Sequence, residues 1–371
     1  MAATEIPAES ENKPKSSNQR QWSAFLLIAL VLHIPFFFYP ILRLGTWLDL
    51  NGLLISVIFL VLGSSQIISR IYLRHRRDDW AVFYRKAADF WMGLTPVLLM
   101  SLLIFEFIVA STDILTSTAA YCVIGITILG GVVGLASAMF PMVKRLSLSS
   151  NKINQPLRFV QITDVHIGSR SPKFLEKIIS AIIKLDPDFL CITGDFIDQT
   201  GVQESDLISL KRLSCPIYFC LGNHEKYEDL EDIIQRLKNL GVHVLQSDTL
   251  MFREDVQVLG IDDMEDPLQV EKELRNINLE EDALKVLLYH RPRGLEAARD
   301  AGVDLIVSGH THNGQIFPFN YAVSRVFNRT EGMYQLGNAR QYVSQGTGTW
   351  GPVIRMGTRS EITLFEYSPE C

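Results

Sequence analysis

A chain of 371 residues is long enough for two domains with separate cores. Its 35 basic and 41 acidic side chains leave a formal charge of −6 and form no long basic stripe, so nucleic acid is not expected as the main partner. Hydrophobic residues make up 47% of the chain and are concentrated before about Lys144, which divides the sequence into a membrane half and a soluble half.

Residues 1–21 are rich in Ala, Glu, Lys, Ser, Asn and Gln without an apolar period, and are expected to form a disordered cytoplasmic tail. Four apolar blocks follow, at about Trp22–Leu42, Leu50–Leu73, Ala88–Ala110 and Thr118–Val143. Each is near the ~20 residues needed to cross a bilayer core. The first is too long for a signal peptide and lacks a small-residue cleavage site. Residues 22–145 are therefore expected to supply four transmembrane helices of a multi-pass protein. Basic residues cluster before the first block (Lys13, Lys15, Arg20), between the second and third (Arg74, Arg76, Arg77, Arg85, Lys86) and after the fourth (Lys144, Arg145, Lys152). The positive-inside rule puts those segments in the cytoplasm, with the spans in the cell (inner) membrane. His33 and Glu106 are the ionisable groups within the blocks. Neither has an evident partner, which favours structural roles over transport.

The five cysteines (Cys122, Cys191, Cys215, Cys220 and Cys371) show no CxxC pairing, as expected of reduced, mostly buried thiols. From residue 146 to 371 the pattern becomes that of an α/β domain. Strands are expected at Leu157–Thr163, Phe189–Thr193, Ile217–Leu221, Val242–Gln246, Leu250–Arg253, Val256–Ile261, Val286–Tyr289 and Leu305–Ser308. A shorter series follows at Tyr342–Gln345, Val353–Met356 and Ile362–Tyr367. Helical periodicity marks Pro172–Leu185 and Asp229–Leu240, and Phe317–Arg340 is expected to be a long loop at the mouth of a site.

Five of the eight histidines fall in one ordered series of polar motifs directly after these strands. The series is Asp164-Val165-His166, then Gly194-Asp195-Phe196-Ile197-Asp198, then Gly222-Asn223-His224-Glu225, then His290, then Gly309-His310-Thr311-His312. Carboxylates, imidazoles and one carboxamide delivered from strand ends suit a pair of cations ~3.5–4 Å apart that hold a hydroxide between them. The flanking glycines let the backbone turn sharply at the strand ends. No thiolate accompanies the set. Mn²⁺ is expected first and Fe or Zn²⁺ next, because Mg²⁺ suits so many imidazoles poorly. Asp198 is expected in a turn or behind a ligand, and Glu225, Tyr227 and Gln315 either face substrate or pack.

The order DxH, GDxxD, GNHE, H, GHTH resembles the calcineurin-like metallophosphoesterase superfamily over most of Leu157–Tyr367. The stretches Gly309–Gln315 and Ser344–Gly348 resemble its membrane-anchored branch, some members of which cleave the pyrophosphate of a UDP-linked diacylglucosamine. The resemblance implies an α/β fold with a four-layer metallophosphoesterase-type β-sandwich flanked by helices, here preceded by the four-helix transmembrane region. It implies that Asp164, His166 and His312 bind one metal ion, that Asn223, His290 and His310 bind a second, and that Asp195 bridges them. His224 would stand over the phosphate and stabilise or protonate the leaving oxygen. Two departures, Asn313 where Gly is common and Ser360 where Pro is common, touch none of these residues.

The expected activity is that of a membrane-bound phosphohydrolase with two divalent metal ions. Its expected substrate is a phosphodiester or pyrophosphate, of a lipid or a lipid-linked nucleotide such as UDP-2,3-diacylglucosamine. The alternatives are a phosphomonoesterase or nucleotide phosphodiesterase acting on a soluble substrate, or a non-catalytic membrane scaffold.

Overall fold

The computed structural model describes residues 31, 33–73, 76 and 78–370. The expected tail, the start of the first apolar block, Arg74, His75, Arg77 and Cys371 lie outside the described residues. The chain divides into two compact units, one drawn from Met1–His75 with Leu98–Ile124, the other from Arg76–Val97 with Gly125–Cys371.

Among the described residues, three helices are long and apolar enough to cross a membrane: Gly52–Tyr72, Asp79–Ser111 and Thr116–Met139. They contain or match the second, third and fourth apolar blocks. Gly52–Tyr72 starts at Asn51, whose side chain accepts the Leu54 N–H at 2.8 Å and so satisfies one of the free donors of the first turn. The last of the three stops four residues before the expected Val143. Pro141 cannot continue a helix, and a strand begins at Met142. In the first unit, Glu106 forms an ion pair with Arg43, the partner that the pattern of apolar blocks did not reveal. His33 stacks on Phe37.

The second unit is built on two six-stranded mixed sheets. Its strands are β1 (Met142–Ser150), β2 (Leu157–Ile162), β3 (Phe189–Thr193), β4 (Ile217–Cys220), β5 (Val242–Val244), β6 (Asp248–Arg253), β7 (Val256–Ile261), β8 (Leu284–Tyr289), β9 (Leu305–Ser308), β10 (Gly332–Leu336), β11 (Ala339–Val343) and β12 (Glu361–Pro369). One sheet has the order β1-β12-β2-β3-β4-β5 and the other β10-β11-β9-β8-β7-β6. Strands β2 to β5 are mutually parallel, as are β7, β8, β9 and β11.

Alternate side chains of both sheets meet in a shared core that includes Phe159, Phe189, Cys191 and Phe365 from one and Val258, Val286, Leu288 and Val307 from the other. The opposite face of the first sheet packs on Pro172–Leu185, whose Phe174, Leu175, Ile178, Ile179 and Ile182 form the stripe seen in the sequence. The opposite face of the second packs against the short helices Gln269–Leu274 and Leu295–Asp300.

Three expectations need correction. The segment Phe317–Arg340 is not a structureless loop, because it forms the helix Phe319–Val326 and the strand β10. Val353–Met356 is not a strand, and Met356 makes only an isolated bridge to Ile316. Met142 and Val143, taken as the end of the last span, instead open β1, where Met142, Lys144, Leu146 and Leu148 alternate with Val143, Arg145 and Ser147. Strand period and a flanking basic cluster look alike in so short a stretch.

Candidate metal centre

Each motif residue lies just past a strand end. Asp164 and His166 follow β2, Asp195 follows β3, and Asn223 and His224 follow β4, all in the first sheet. His290 follows β8, and His310 and His312 follow β9, in the second sheet. The carboxyl ends of parallel strands from both sheets therefore converge on one place. The turns there are tight. Asp164, His166, Asp195, His310 and His312 all have φ between +48° and +72°, a left-handed conformation costing about 1–2 kcal/mol per ordinary residue. The glycines admit close approach. A Cβ on Gly222 would lie 2.2 Å from Asp195 Oδ1, and one on Gly309 2.2 Å from Asp164 Oδ2.

Two groups of potential ligands result. Asp164, His166 and His312 present atoms within 4.8 Å of one another, and so do Asp195, His290 and His310. In the first, His166 Nε2 is 3.2 Å from His312 Nε2, which is 3.3 Å from Asp164 Oδ1. In the second, His290 Nε2 is 3.1 Å from both Asp195 Oδ2 and His310 Nδ1. Two ligands held ~2.1 Å from one ion stand roughly 3.0–3.4 Å apart, so both spacings suit a cation. Asn223 belongs to neither triad by residue type, but its Oδ1 is buried and accepts no hydrogen bond. Leaving a carboxamide oxygen so costs about 1–3 kcal/mol, a deficit that a cation would relieve. The donor set and this orphaned oxygen fit a two-metal centre.

Electrostatics point the same way. Burial disfavours the charged form of Asp164, yet His312, His290 and His166 hold its carboxyl well below the usual range. Asp195 is likewise buried and is lowered by His290 and His166. Burial pulls His290 down, but Asp195 and Asp164 outweigh it and push its pKa up to about 10. Burial drives His310 down to about 3, with the His290 charge adding to it, and drives His312 down to about 4. A cation bound here would compete with a proton on His290, while burial favours the neutral form of His310 and His312 that metal binding needs.

Groups behind the ligands fix their orientation. His290 Nδ1 donates to the Thr193 carbonyl at 2.8 Å, leaving Nε2 to face Asp195. Asp198 Oδ2 lies 3.3 Å from His166 Nδ1, on the side of the ring away from the triad, and its Oδ1 accepts the Ser169 N–H. The fully buried Arg355 guanidinium donates to the carbonyls of His312, Gln345, Gly346 and Gly348 and lies 3.2 Å from His312 Nδ1. Sequence reasoning passed over Arg355. A single Arg within the apolar run Pro352–Met356 was the available signal.

His224 belongs to neither triad, although its ring meets that of His166 edge-on at 4.8 Å. Its backbone N–H donates to Asp195 Oδ1 at 2.9 Å, while its Nε2 is 3.9 Å from Asp195 Oδ2. Burial lowers its pKa, with Asp195 opposing. The rings of Tyr227 and Trp350, both exposed, lie 6.1 Å and 6.5 Å from its own. Of the three residues left open between substrate and packing, only Tyr227 faces outward. Glu225 is fully buried and accepts the N–H groups of Asp195, Phe196, Ile197 and Gly222, tying two site loops together. Burial and the neighbouring Asp195 raise its pKa to about 7. Gln315 braces the segment Trp350–Pro352 through its amide.

The sequence matches the profile of the calcineurin-like phosphoesterase family over residues 157–314. It is 31% identical over 236 residues to an uncharacterised metallophosphoesterase of Campylobacter jejuni, covering 60% of this chain and 62% of that protein. It is 29% identical over 242 residues to one from Helicobacter pylori, covering 62% of this chain and 65% of that one. A transmembrane protein with metallophosphoesterase domain from Bos taurus is 32% identical over 273 residues, covering 64% of this chain and 60% of the relative. The chain thus spans less than two thirds of each of these relatives.

Proposed function

We propose that this chain, whose residues 157–314 match the calcineurin-like phosphoesterase profile, is a membrane-bound, metal-dependent phosphohydrolase that cleaves a phosphodiester or pyrophosphate. The observation carrying this reading is the convergence of two carboxylate–imidazole triads, with the unsatisfied Asn223 oxygen in the loop whose His224 N–H donates to Asp195. Asp164, His166 and His312 would hold one divalent ion. Asn223, His290 and His310 would hold the other, with Asp195 shared between them. Two such ions, Mn²⁺ before Fe or Zn²⁺, would supply Lewis-acid charge to the phosphoryl group and lower the pKa of water.

The chain's own residues do the rest. Asp195 and Asp164 hold the ligand imidazoles at fixed spacing, and Glu225 keeps the two loops that carry Asp195 and Asn223 in register. His224, outside both triads, is free to meet the phosphate and pass a proton to the leaving oxygen. A phosphate's negative charge raises the pKa that burial has lowered.

The wider reading has a fourth span at the first apolar block and a four-layer sandwich. It also has a cytoplasmic catalytic half and a lipid or lipid-linked substrate. The basic residues flanking the spans support the orientation. A soluble nucleotide or monoester is the alternative substrate.

The reading is tested by assaying the purified full chain, stripped of metal and reloaded with Mn²⁺, against mono- and diester nitrophenyl phosphates and then UDP-diacylglucosamine. Metal-dependent diester or pyrophosphate cleavage is expected. Activity unchanged by chelation would overturn the metal assignment. For orientation, a membrane-impermeant thiol reagent should leave Cys215 unlabelled in intact cells and label it after permeabilisation. Labelling of intact cells would reverse the sidedness.

A further inference from the structure

The segment that braces the metal centre is clamped between portions of the helices Asp79–Ser111 and Thr116–Met139 that lie in its own unit. Ile354 sits where a Cβ on Gly93 would come within 2.5 Å of its Cγ2 and a Cβ on Gly134 within 2.5 Å of its Cγ1. With Ile316 and Met356 it packs on Phe90, Leu94 and Val97, and the Arg355 N–H donates to the Gly134 carbonyl. These glycines also fix a depth. Gly93 lies eighteen residues before the helix end at Ser111, and Gly134 lies eighteen residues after the next helix start at Thr116. Eighteen residues of helix rise ~27 Å, close to the ~30 Å hydrocarbon core. Each of these helices, taken singly as a bilayer span, therefore reaches the edge of the hydrocarbon core at the level of its own glycine. Ile354 and the adjoining site segments lie at that edge.

What surrounds this contact is apolar and open. The helix Phe319–Val326, which begins three residues after Ile316, has no buried residue. Nevertheless Tyr321 is 63% exposed and Val326 70%, and Phe317, in ring contact with Tyr321, is exposed as well. Trp350, two residues before the Pro352 that meets Gly93, is 61% exposed. An eight-residue helix without one fully buried residue is marginal in water, and aromatic side chains at this depth match those of a membrane interface.

We propose that Phe317–Val326 and Trp350 form an interfacial rim that dips into the headgroup region of the leaflet crossed by the chain's own helices, so that the metal centre draws its phosphate ester from that leaflet. The occupant of this surface is lipid. The rim would lie in the leaflet plane as an amphipathic helix does, its aromatic side chains at the headgroup–acyl boundary. His312 to Gln315 connect directly to Ile316, and Trp350 flanks His224, so the rim borders the catalytic groups themselves.

The substrate part rests on the phosphohydrolase reading, whereas the location of the rim does not, and the test separates them. The full chain, with Cys122, Cys215 and Cys371 changed to Ser, is placed in phosphatidylcholine–phosphatidylglycerol nanodiscs. Nitroxide labels are attached in turn at Tyr321→Cys, Val326→Cys and, as a water-exposed reference at the far end of the second sheet, Glu254→Cys. Labels at positions 321 and 326 should relax strongly with oxygen and weakly with an aqueous nickel chelate. Labels as open to the chelate as the one at position 254, or closed to both reagents as inside a protein contact, would overturn the rim.

A second measurement uses one reacting group in two settings. Bis(p-nitrophenyl) phosphate in solution is compared with a diacylglycerol p-nitrophenyl phosphate in the nanodisc. Tyr321→Ser with Val326→Ser should leave kcat/KM on the soluble diester within about twofold and lower it roughly tenfold or more on the lipid-borne one. Equal effects on both diesters would overturn the leaflet as the source. No hydrolysis of either by the Mn²⁺-loaded parent chain would count against the phosphohydrolase reading, with the nitroxide result still deciding the rim.

Discussion

Around Asp164, His166 and His312, Thr163 donates to Asp164 and Arg355 lies against His312 Nδ1, while Asp198 faces His166 Nδ1 as an ion-pair partner without a hydrogen bond; Asp164, His166 and His312 are all buried. Around Asp195, His290 and His310 the support is thinner. His290 is held by one carbonyl, Asn223 Oδ1 has no partner, and His310 is half-buried with the Phe327 ring 5.3 Å away. The same residue types are thus mounted in two ways. The first group is preorganised by groups that do not touch the ion, so it should hold a cation more firmly. The second is completed by loop residues and should exchange its cation more readily.

The comparison breaks most completely if Asp195, the carboxylate proposed to be shared by the two groups, is removed. Asp195→Asn is expected to lower turnover by roughly 10³-fold or more and to reduce the content of both ions, read by elemental analysis of the purified protein. Near-normal turnover at saturating Mn²⁺ would mean the two groups work separately. His224→Ala should cost about 10²–10⁴ in rate while both ions stay bound. The loss should shrink with a nitrophenolate leaving group, which needs no proton. An equal loss with good and poor leaving groups would refute the assigned role.

The asymmetry itself is sharpened by a pair of variants. Asp198→Asn should weaken binding at the first group by roughly 10–100-fold, and Asn223→Ala should empty only the second, as followed by calorimetric titration with Mn²⁺. If both variants lose the same ion, the assignment of ligands to groups is wrong. The smallest effect expected is that of Glu225→Gln. It replaces a carboxylate that accepts four backbone N–H groups, so about 1–3 kcal/mol of stability should be lost and the thermal midpoint should fall by several degrees. Weaker binding should be greatest at the second group, because the loops it ties carry Asn223 as well as the shared Asp195. A variant with an unchanged midpoint would show that the loops hold without it.

Much of this centre was legible before any fold was known, because its residues directly follow short apolar runs. Asp164, Asp195, Asn223, His290 and His310 each come one to three residues after a strand that the pattern located. Arg355, Glu225 and Gln315 were harder. Their roles depend on backbone atoms far away in sequence, such as the carbonyls of Gln345 and Gly348 or the N–H groups of Asp195 and Phe196. The Arg43–Glu106 pair escaped for the same reason, since its partners are 63 positions apart on different helices. The helix Phe319–Val326 was missed because eight residues are too few for a helical period to stand out from a loop.

Local chemistry and spacing by themselves determined the apolar helices, the alternation of strand and helix, and the identity of the polar residues at strand ends. Each depends on a side chain and its near neighbours along the chain. Only the tertiary structure decided that the residues fall into two groups of unequal support, and that β1 pairs with β12 at the opposite end of the domain. It also decided that Ile354 is clasped by Gly93 and Gly134. Those facts require segments more than a hundred residues apart to meet, and a contact of that kind leaves no period or spacing in the sequence from which to infer it.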